Sequence, residues 1–312
     1  MSVVICTHNR AALLPQALDS LLCQTLDRRQ YEIAVVDNRS TDETGSVVAE
    51  YQARHSLCAL RLLYEAELGL GHARNKGWRC AKGTYVAFMD DDAKADPHWL
   101  EQALEVFERS RPTPVAVGGQ ILPFYPFPKP AWYKDEYEVR SWGGVPRRLC
   151  SGESFSGSNM IVSKAVLQQL DGFDTRVGMR GDYMSVGEET LFFQKVWSLF
   201  GEEAMVMYSP HLIVYHRVGK HKLRTSYHLS RWFVSGQVAS RLNAAGTWRE
   251  RLHQLRAGLA AIRALSRKAI TQWRQCSDHR AWTIEQLGPI ALEVGRLLAG
   301  LGLCLPVKRA KV

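Results

Sequence analysis

The sequence has little that is typical of secreted, membrane-spanning or metal-thiolate proteins. Its seven cysteines form no Cys-x-x-Cys pair and no other metal-ligand spacing, so we expect reduced thiols in a cytoplasmic protein. No charged leader precedes the strand-like start at Ser2, which argues against a secretory signal. The most apolar stretch, 287–305, contains Glu293 and Arg296 and lacks the run of about 18 uncharged residues that a membrane span needs.

Composition and charge exclude further classes of protein. Hydrophobic residues make up 46% and charged residues 23% of the 312 residues, which excludes disorder and collagen-like repeats. Residues 251–312 hold eleven Lys and Arg against three Asp and Glu, which is eight of the nine net positive charges. The rest of the chain is almost neutral, so nucleic acid is not an expected partner. The basic, Leu-rich tail instead predicts contact with an anionic surface such as a membrane face.

Short apolar runs alternate with helical periodicity over the first 118 residues. Four runs are predicted to be strands, and they cover 3–5, 33–36, 60–63 and 85–89. Continuously apolar strands separated by helices indicate a parallel sheet covered on both faces. The polar loops that follow the strands then share one edge of the sheet, where open α/β folds bind ligands. The pattern ends near Val117: prolines and aromatics predict loops over 123–144, and helical periodicity dominates from 227 to 303.

Three adjacent carboxylates, Asp90, Asp91 and Asp92, follow the fourth predicted strand. Such a triplet is self-repelling unless a cation neutralises it, and oxygen ligands suit Mg²⁺ or Mn²⁺. We therefore predict a divalent ion whose further partners are the phosphate oxygens of a nucleotide diphosphate. The alternative is a solvated acidic turn before the helix that begins near Pro97.

Four motifs at strand ends resemble those of family 2 glycosyltransferases with the GT-A fold. They are Thr7-His8-Asn9-Arg10, Val35-Val36-Asp37-Asn38-Arg39-Ser40-Thr41-Asp42, Gly69-Leu70-Gly71-His72-Ala73-Arg74-Asn75, and the Asp triplet. The resemblance implies an α/β fold with a Rossmann-like, mostly parallel nucleotide-binding sheet, flanked by helices and followed by a C-terminal helical extension. It implies a catalytic domain over 1–235, with a nucleotide-sugar half (1–118) and an acceptor half (119–235), and a basic extension over 236–312.

The resemblance also implies roles for individual residues. The implied donor-binding residues are Thr7, Asn9, Arg10, Asp37, Asn38, Asp42, Arg74 and Asp91. Asp92 matches the metal ligand of the family and Asp90 supports it. His216, at the end of a late predicted strand over 212–215, matches the histidine that completes the site. Arg74 stands where the dinucleotide-binding fingerprint has its third glycine, which argues against a dehydrogenase.

Two positions depart from the family pattern. Many members carry an acid in place of Asn38 that accepts a hydrogen bond from uracil; because Asn also donates, uridine is expected while thymidine and guanosine stay open. In the motif Gly187-Glu188-Glu189-Thr190, Glu189 takes the position of the catalytic Asp, with Glu188 in reserve. One such base suffices for an inverting displacement. The alternative is an acidic first turn of a helix.

The implied function is metal-dependent, inverting transfer of a sugar from a nucleoside diphosphate, with UDP expected, to a hydroxyl. The acceptor would be a carbohydrate or lipid-linked sugar, as in the assembly of cell-envelope polysaccharide. A sugar-nucleotide pyrophosphorylase is one alternative, although it would carry a Gly-rich loop after the first strand. A non-catalytic carbohydrate-binding module that uses the aromatics of 124–142 is the other, and it leaves the acidic motifs unexplained.

The tail predicts a helix with an apolar stripe flanked by basic residues. The stripe residues recur at threes and fours, and they are Leu287, Ile290, Val294, Leu297, Leu298 and Leu301. The basic residues are Arg296, Lys308, Arg309 and Lys311. This helix is predicted to lie in the interface of an anionic membrane, which would place the enzyme peripherally at the inner face. The alternative is that the stripe packs on the catalytic domain or on a second subunit.

Overall fold

A mixed β-sheet lies at the centre of the computed structural model, which describes residues 1–179, 183–242 and 248–308. Its strands are β1 (Ser2–Thr7), β2 (Glu32–Asp37), β3 (Leu60–Tyr64), β4 (Tyr85–Asp90), β5 (Ala93–Ala95), β6 (Ala116–Phe124), β7 (Arg147–Arg148), β8 (Met160–Ser163) and β9 (Val206–Arg217). They are ordered β3-β2-β1-β4-β8-β6-β9-β5, with β7 paired to β9.

The parallel half of the sheet is the part that was predicted from the apolar runs. Strand β1 pairs in parallel with β2 and with β4, and β2 pairs in parallel with β3. The other half is mixed, because β8 is antiparallel to both β4 and β6, whereas β6 and β9 are parallel. The sheet therefore changes direction beside β4, whose carboxyl end carries the Asp triplet.

Ten α-helices lie in the described residues. They are α1 (Leu14–Leu22), α2 (Thr44–Arg54), α3 (Leu70–Cys80), α4 (Trp99–Arg109), α5 (Lys164–Gln169), α6 (Glu188–Phe200), α7 (Thr225–Leu242), α8 (Trp248–Trp273), α9 (His279–Trp282) and α10 (Gly288–Gly300). Helices α1, α2 and α4 pack on one face of the sheet, against side chains such as Val3 and Ile5 of β1. Helices α3, α5 and α6 pack on the other, against Val4. The alternation along β1 follows from strand geometry and explains why the strand is apolar throughout.

The chain divides into two compact units. The first consists of Met1–Phe124, Glu138–Arg176 and Glu188–Arg217; the second contains the described residues of Tyr125–Tyr137, Val177–Gly187 and Val218–Val312. The first unit holds the sheet and helices α1 to α6. The second holds helices α7 to α10. The predicted division at 235/236 into a catalytic domain and an extension stays a prediction.

Helices α7 and α10 of the second unit pack closely at two glycines. A Cβ atom on Gly236 would collide with the backbone of Leu292, and one on Gly295 with the backbone of Phe233. Helix α10 also packs on α8, where Leu297 lies against Gly258. Of the predicted apolar stripe, Leu297 packs in this way, the other members from Leu287 to Leu298 are half-buried, and Leu301 is exposed. Among the described helices, none is both long and apolar enough to cross a bilayer. Arg309 and Lys311 lie outside the described residues.

Candidate active site

The loops after β1 and β2 are tied together by hydrogen bonds. Asn9 has a left-handed backbone (φ 53°), a conformation that Asn tolerates well. Its Oδ1 accepts from the Thr41 N–H at 2.7 Å and from the Thr41 hydroxyl at 3.2 Å. Asp42 Oδ2 accepts from the Ala11 N–H at 2.9 Å. Asn9 and Asp42, both predicted donor contacts, therefore hold the two loops against each other.

Thr7 and Asp37, also predicted donor contacts, end the two neighbouring strands and are register partners. Thr7 is buried, and Asp37 Oδ1 accepts from the Ser40 N–H at 2.8 Å. The two residues thus lie at the carboxyl edge of the parallel sheet, next to the loop pair. This is the edge at which open α/β folds bind nucleotides.

The side chain of Asn38 faces the protein. Its Nδ2 donates to the carbonyls of Glu67 (2.7 Å) and Glu65 (3.3 Å), and its Oδ1 accepts from the Gly69 N–H at 2.8 Å. Asn38 is buried, so this amide secures the segment that leads into α3. Its predicted contact with the nucleotide base stays a prediction.

Asp90, Asp92 and His216 form a group with the chemistry of a metal site. One potential ligand atom from each lies within 4.8 Å of the others. His216 reaches the acids because β9 pairs with β5, which puts His216 opposite Ala93. Its Nε2 lies 3.3 Å from Asp92 Oδ1 and 3.5 Å from Asp90 Oδ2.

The partner of the other ring nitrogen of His216 supports a metal at this group. Nδ1 lies 3.2 Å from the Arg217 carbonyl, which can only accept a hydrogen bond, so Nδ1 carries a proton. In neutral histidine, Nε2 then carries no proton, and its lone pair faces two carboxylates. A proton or a cation between the ring and the carboxylates relieves this repulsion, and carboxylate oxygens are ligands that suit Mn²⁺ or Mg²⁺.

Arg10 forms hydrogen bonds with two acids of the Asp triplet. Its Nη1 donates to Asp91 Oδ1 at 2.8 Å and to Asp92 Oδ2 at 2.9 Å. Burial raises the pKa of Asp91 to about 6, although the charge of Arg10 opposes this shift. The structure thus places Arg10 and Asp91 beside the metal group, while their predicted contacts with the donor stay predictions.

Arg74 connects the Asp triplet with the acidic pair of α6. Its side chain is only 3% exposed, and Nη2 lies 3.0 Å from Glu189 Oε1 and 3.9 Å from Asp90 Oδ1. Nη1 lies 3.5 Å from Glu188 Oε1. Arg74 was predicted to bind the donor; the structure shows it as a buried bridge among three carboxylates.

The two acids of α6 differ in their surroundings. Glu188 is buried, with a side chain that is 5% exposed, and Glu189 is 19% exposed. Burial and the neighbouring Glu189 raise the pKa of Glu188 to about 8. Glu189 Oε1 also accepts from the Gly157 N–H at 3.1 Å, in a close approach that leaves no room for a Cβ at Gly157.

The Gly157 N–H and the Arg217 carbonyl are backbone groups of the site to which the sequence analysis assigned no role. The metal group, the Arg74 bridge and the α6 acids lie together in the first unit, whereas Asn9, Asp42 and Asn38 make structural contacts nearby. A backbone N–H or carbonyl has no residue signature. The close approach at Gly157 is the one feature a conspicuous glycine could have indicated.

The model of the family "Glycosyl transferase family 2" matches residues 2–170, which is more than half of the chain. This chain belongs to glycosyl transferase family 2. It is therefore a transferase enzyme, and the pyrophosphorylase and the non-catalytic module are set aside. The match includes the loop motifs and the Asp triplet; Glu189 and His216 lie beyond it.

Two curated relatives show how far the sequence similarity extends. The glycosyltransferase is 25% identical over 244 residues to a glucosyl-dolichyl phosphate glucuronosyltransferase of Haloferax volcanii, which is 76% of this chain and 75% of that protein. It is 38% identical over 122 residues to a validoxylamine A glucosyltransferase of Streptomyces hygroscopicus. That match covers 38% of this chain and 28% of the Streptomyces protein.

Solved structures confirm the GT-A fold. A mannosyltransferase of Pyrobaculum calidifontis, PcManGT, in complex with GDP-Man and Mn²⁺, has a TM-score of 0.65 at 23% identity; the similarity covers 95% of this chain and 86% of that one. The TarS protein of S. aureus (residues 1–349), in complex with UDP-GlcNAc, has a TM-score of 0.55 at 16% identity, with 97% and 92% covered. The predicted fold class, including the C-terminal helices, is confirmed.

Proposed function

We propose that this glycosyltransferase is metal-dependent and inverting, and that it moves a sugar from a nucleoside diphosphate, UDP by expectation, to a hydroxyl. The observation that carries the proposal is the bridge made by Arg74, which lies 3.9 Å from Asp90 of the metal group and 3.0 Å from Glu189. A candidate cation site and a candidate base within the span of one guanidinium are the two components that such a displacement needs.

The metal group would hold Mn²⁺ or Mg²⁺ through Asp90, Asp92 and the Nε2 of His216. When bound, such an ion neutralises the diphosphate leaving group. The Mn²⁺ in the Pyrobaculum structure supports this assignment. GDP-Man in that structure and UDP-GlcNAc in the TarS structure support a nucleoside diphosphate donor and leave the nucleoside open.

Glu189 is the proposed base, and Glu188 is the reserve. Glu189 is the more exposed of the two, whereas the raised pKa of Glu188 keeps that carboxyl protonated near neutral pH. The Gly157 N–H and Arg74 both bond to Oε1 of Glu189 and orient the carboxylate. Oε2 then accepts the proton of the acceptor hydroxyl as its oxygen attacks the anomeric carbon, and a single displacement inverts the configuration.

The remaining assignments belong to the same proposal. Donor contacts are proposed for Thr7, Asn9, Arg10, Asp37, Asn38, Asp42, Arg74 and Asp91. The acceptor is a carbohydrate or a lipid-linked sugar, and the glucuronosyltransferase relative named for a dolichyl phosphate substrate supports the second. Peripheral attachment to an anionic membrane through the helices after residue 235 is proposed from the positive charge of 251–312.

The decisive experiment compares Asp92→Ala and Glu189→Gln in a sugar-nucleotide turnover assay with and without Mn²⁺. We expect Asp92→Ala to abolish metal-dependent donor binding with little change in unfolding temperature. Loss of a general base lowers turnover by about 10²–10⁴, so Glu189→Gln should do this while donor affinity stays unchanged. Glu203→Gln, an exposed acid after α6, is the control.

The outcomes separate the components of the proposal. Metal-stimulated turnover retained by Asp92→Ala would exclude that ligand. If Glu188→Gln alone lowers turnover, the base is Glu188; if neither does, the acidic pair is structural. The anomeric configuration of the product, read by NMR, tests inversion directly.

A further inference from the structure

Helix α8 exposes a row of large apolar side chains. Leu252 is 38% exposed, Leu259 51%, Ile270 73% and Trp273 47%. At 3.6 residues per turn, spacings of seven, eleven and three place these four residues along one side of the helix. The row runs over most of α8, from its fifth residue to its last.

A row of arginines lies beside the apolar row. Arg256, Arg263 and Arg274 each follow an apolar residue of the row by four positions, and Arg267 lies between the last two. Residues four apart are neighbours on a helix surface. All four arginines are exposed. The exposed face of α8 therefore combines an apolar strip with a cationic strip along its edge.

Within the described residues of the second unit, Trp273 of the apolar row stacks on His279 and packs against Trp282, yet it stays 47% exposed. The buried residues of α8 include Gly258 and Ala269, and Leu297 of α10 lies against Gly258. Gly258 and Ala269 are eleven residues apart and thus share a side of the helix that is distinct from the apolar row. In the part of the chain that the structure describes, Leu252, Leu259 and Ile270 face solvent, and Trp273 exposes about half of its surface.

The charge of the exposed face of α8 indicates which kind of partner it would bind. Between Trp248 and Arg274 the sequence has seven Lys and Arg against one Glu. A second copy of the chain, docked through the same face, would bring two arginine rows together and be repelled. A bilayer with anionic lipids offers both complements at once, because apolar side chains enter the acyl boundary while cations stay among the headgroups.

We propose that the exposed face of α8 binds anionic lipid bilayers, with Leu252, Leu259, Ile270 and Trp273 inserted and Arg256, Arg263, Arg267 and Arg274 on the headgroups. The proposal deepens the membrane attachment given under Proposed function and rests on it. It assigns that attachment to α8 rather than to the apolar stripe of α10, whose members from Leu287 to Leu298 are half-buried.

The test is co-sedimentation of the full chain with vesicles of phosphatidylcholine alone and of phosphatidylcholine mixed with phosphatidylglycerol. The wild-type chain should bind only the mixed vesicles, and added salt should weaken binding. A cation near an anionic leaflet contributes about a factor of five in affinity, so R256Q/R263Q/R267Q should bind about 100-fold more weakly. Two charges placed in the apolar row, in L259E/I270E, should lower binding at least about tenfold.

Matched variants elsewhere on the surface are the controls. R54Q/R79Q/R109Q removes the same three charges from other helices, and L57E/L199E places acids at two other exposed leucines. Both should bind vesicles like the wild type. Unfolding temperatures and donor binding, measured without vesicles, should be unchanged in both α8 variants, which separates this test from that of the transferase activity.

Three outcomes would overturn the proposal. Vesicle binding that survives in both α8 variants would assign membrane contact to another segment, while membrane attachment itself would stand. Absence of binding by the wild-type chain would remove both, and sugar-nucleotide turnover would still stand or fall separately. A dimer of the wild-type chain that L259E/I270E dissociates would assign the face to a second copy.

Discussion

At the scale of single residues, Asn38 shows why one amide differs from one acid. Its Nδ2 donates to two carbonyls and its Oδ1 accepts from one N–H, so this position needs a side chain that both donates and accepts hydrogen bonds. The carboxamide of Asn or Gln provides two N–H donors and an oxygen acceptor in one planar group. The departure from the family pattern that the sequence showed at this position has a local physical cause.

Asn38→Asp should therefore destabilise the protein. An aspartate keeps the acceptor for Gly69 but turns its second oxygen toward two carbonyls, at a cost of about 1–3 kcal/mol. Urea unfolding measures this loss in the free energy of unfolding. Asp37→Asn, the reverse change next door, keeps the acceptor for the Ser40 N–H and should alter stability far less. Equal effects of the two changes would contradict this account of Asn38.

Glu188 should make the stability of the protein depend on pH. Its pKa is raised from 4.5 to about 8, so between these values the folded chain holds a proton that the unfolded chain has released. Stability due to this group falls as pH rises through that window, by an amount on the order of a few kcal/mol, and is level above it. From pH 5 to pH 8, the unfolding temperature of the wild type should therefore fall relative to that of Glu188→Gln.

The measurement is a series of thermal unfolding scans without divalent metal. Glu203→Gln removes an exposed acid and should run parallel to the wild type over the same range. A difference between wild type and Glu188→Gln that stays constant from pH 5 to 8 would mean that Glu188 is ionised throughout.

At the scale of elements, the glycines of α7 and α10 set how closely these helices approach. In an ordinary helix, Gly→Ala is favourable by roughly 0.5–1 kcal/mol. At Gly295 the new Cβ would meet the backbone of Phe233, which no side-chain rotation can relieve. We expect Gly295→Ala to destabilise by about 1–3 kcal/mol. Gly45→Ala in α2, where nothing lies within 4 Å of the new Cβ, should be neutral or stabilising.

The elements also show where sequence patterns stop being informative. Strands β1, β2 and β4 were predicted from apolar runs because helices bury both of their faces. Strand β9 was predicted only over 212–215, yet it covers Val206–Arg217 because pairing with β6 extends it. Strand β6 continues through Pro123, which falls in the predicted loop segment, because register with β9 holds it there. The extension of a strand by its pairing partner leaves no local pattern in the sequence.

The candidate active site was also predictable only in part. Asp90 and Asp92 could be identified because three acids directly after an apolar strand are unusual. The bond between Arg74 and Glu189 joins residues 115 apart in the sequence, and no spacing rule relates them. The depth at which Arg74 is buried depends on how α3 and α6 pack on the same sheet face, which is a property of the folded chain.

At the scale of the whole molecule, charge and chemistry are separated along the chain. The proposed transfer site lies in the first unit, whose residues carry a small net negative charge, and most of the positive charge follows residue 250. Ionic strength should accordingly affect association with anionic surfaces more than donor binding. The vesicle and turnover assays described above measure these two quantities separately.

The hydrogen bonds between the loops after β1 and β2 limit how this chain can be recombined with a relative. Asn9 and Thr41, and Ala11 and Asp42, are bonded pairs whose members lie about thirty positions apart. A chimaera with its crossover anywhere from 12 to 36 would give each loop a foreign counterpart. The smallest block that can be exchanged while both pairs stay intact is the stretch from residue 9 to residue 42.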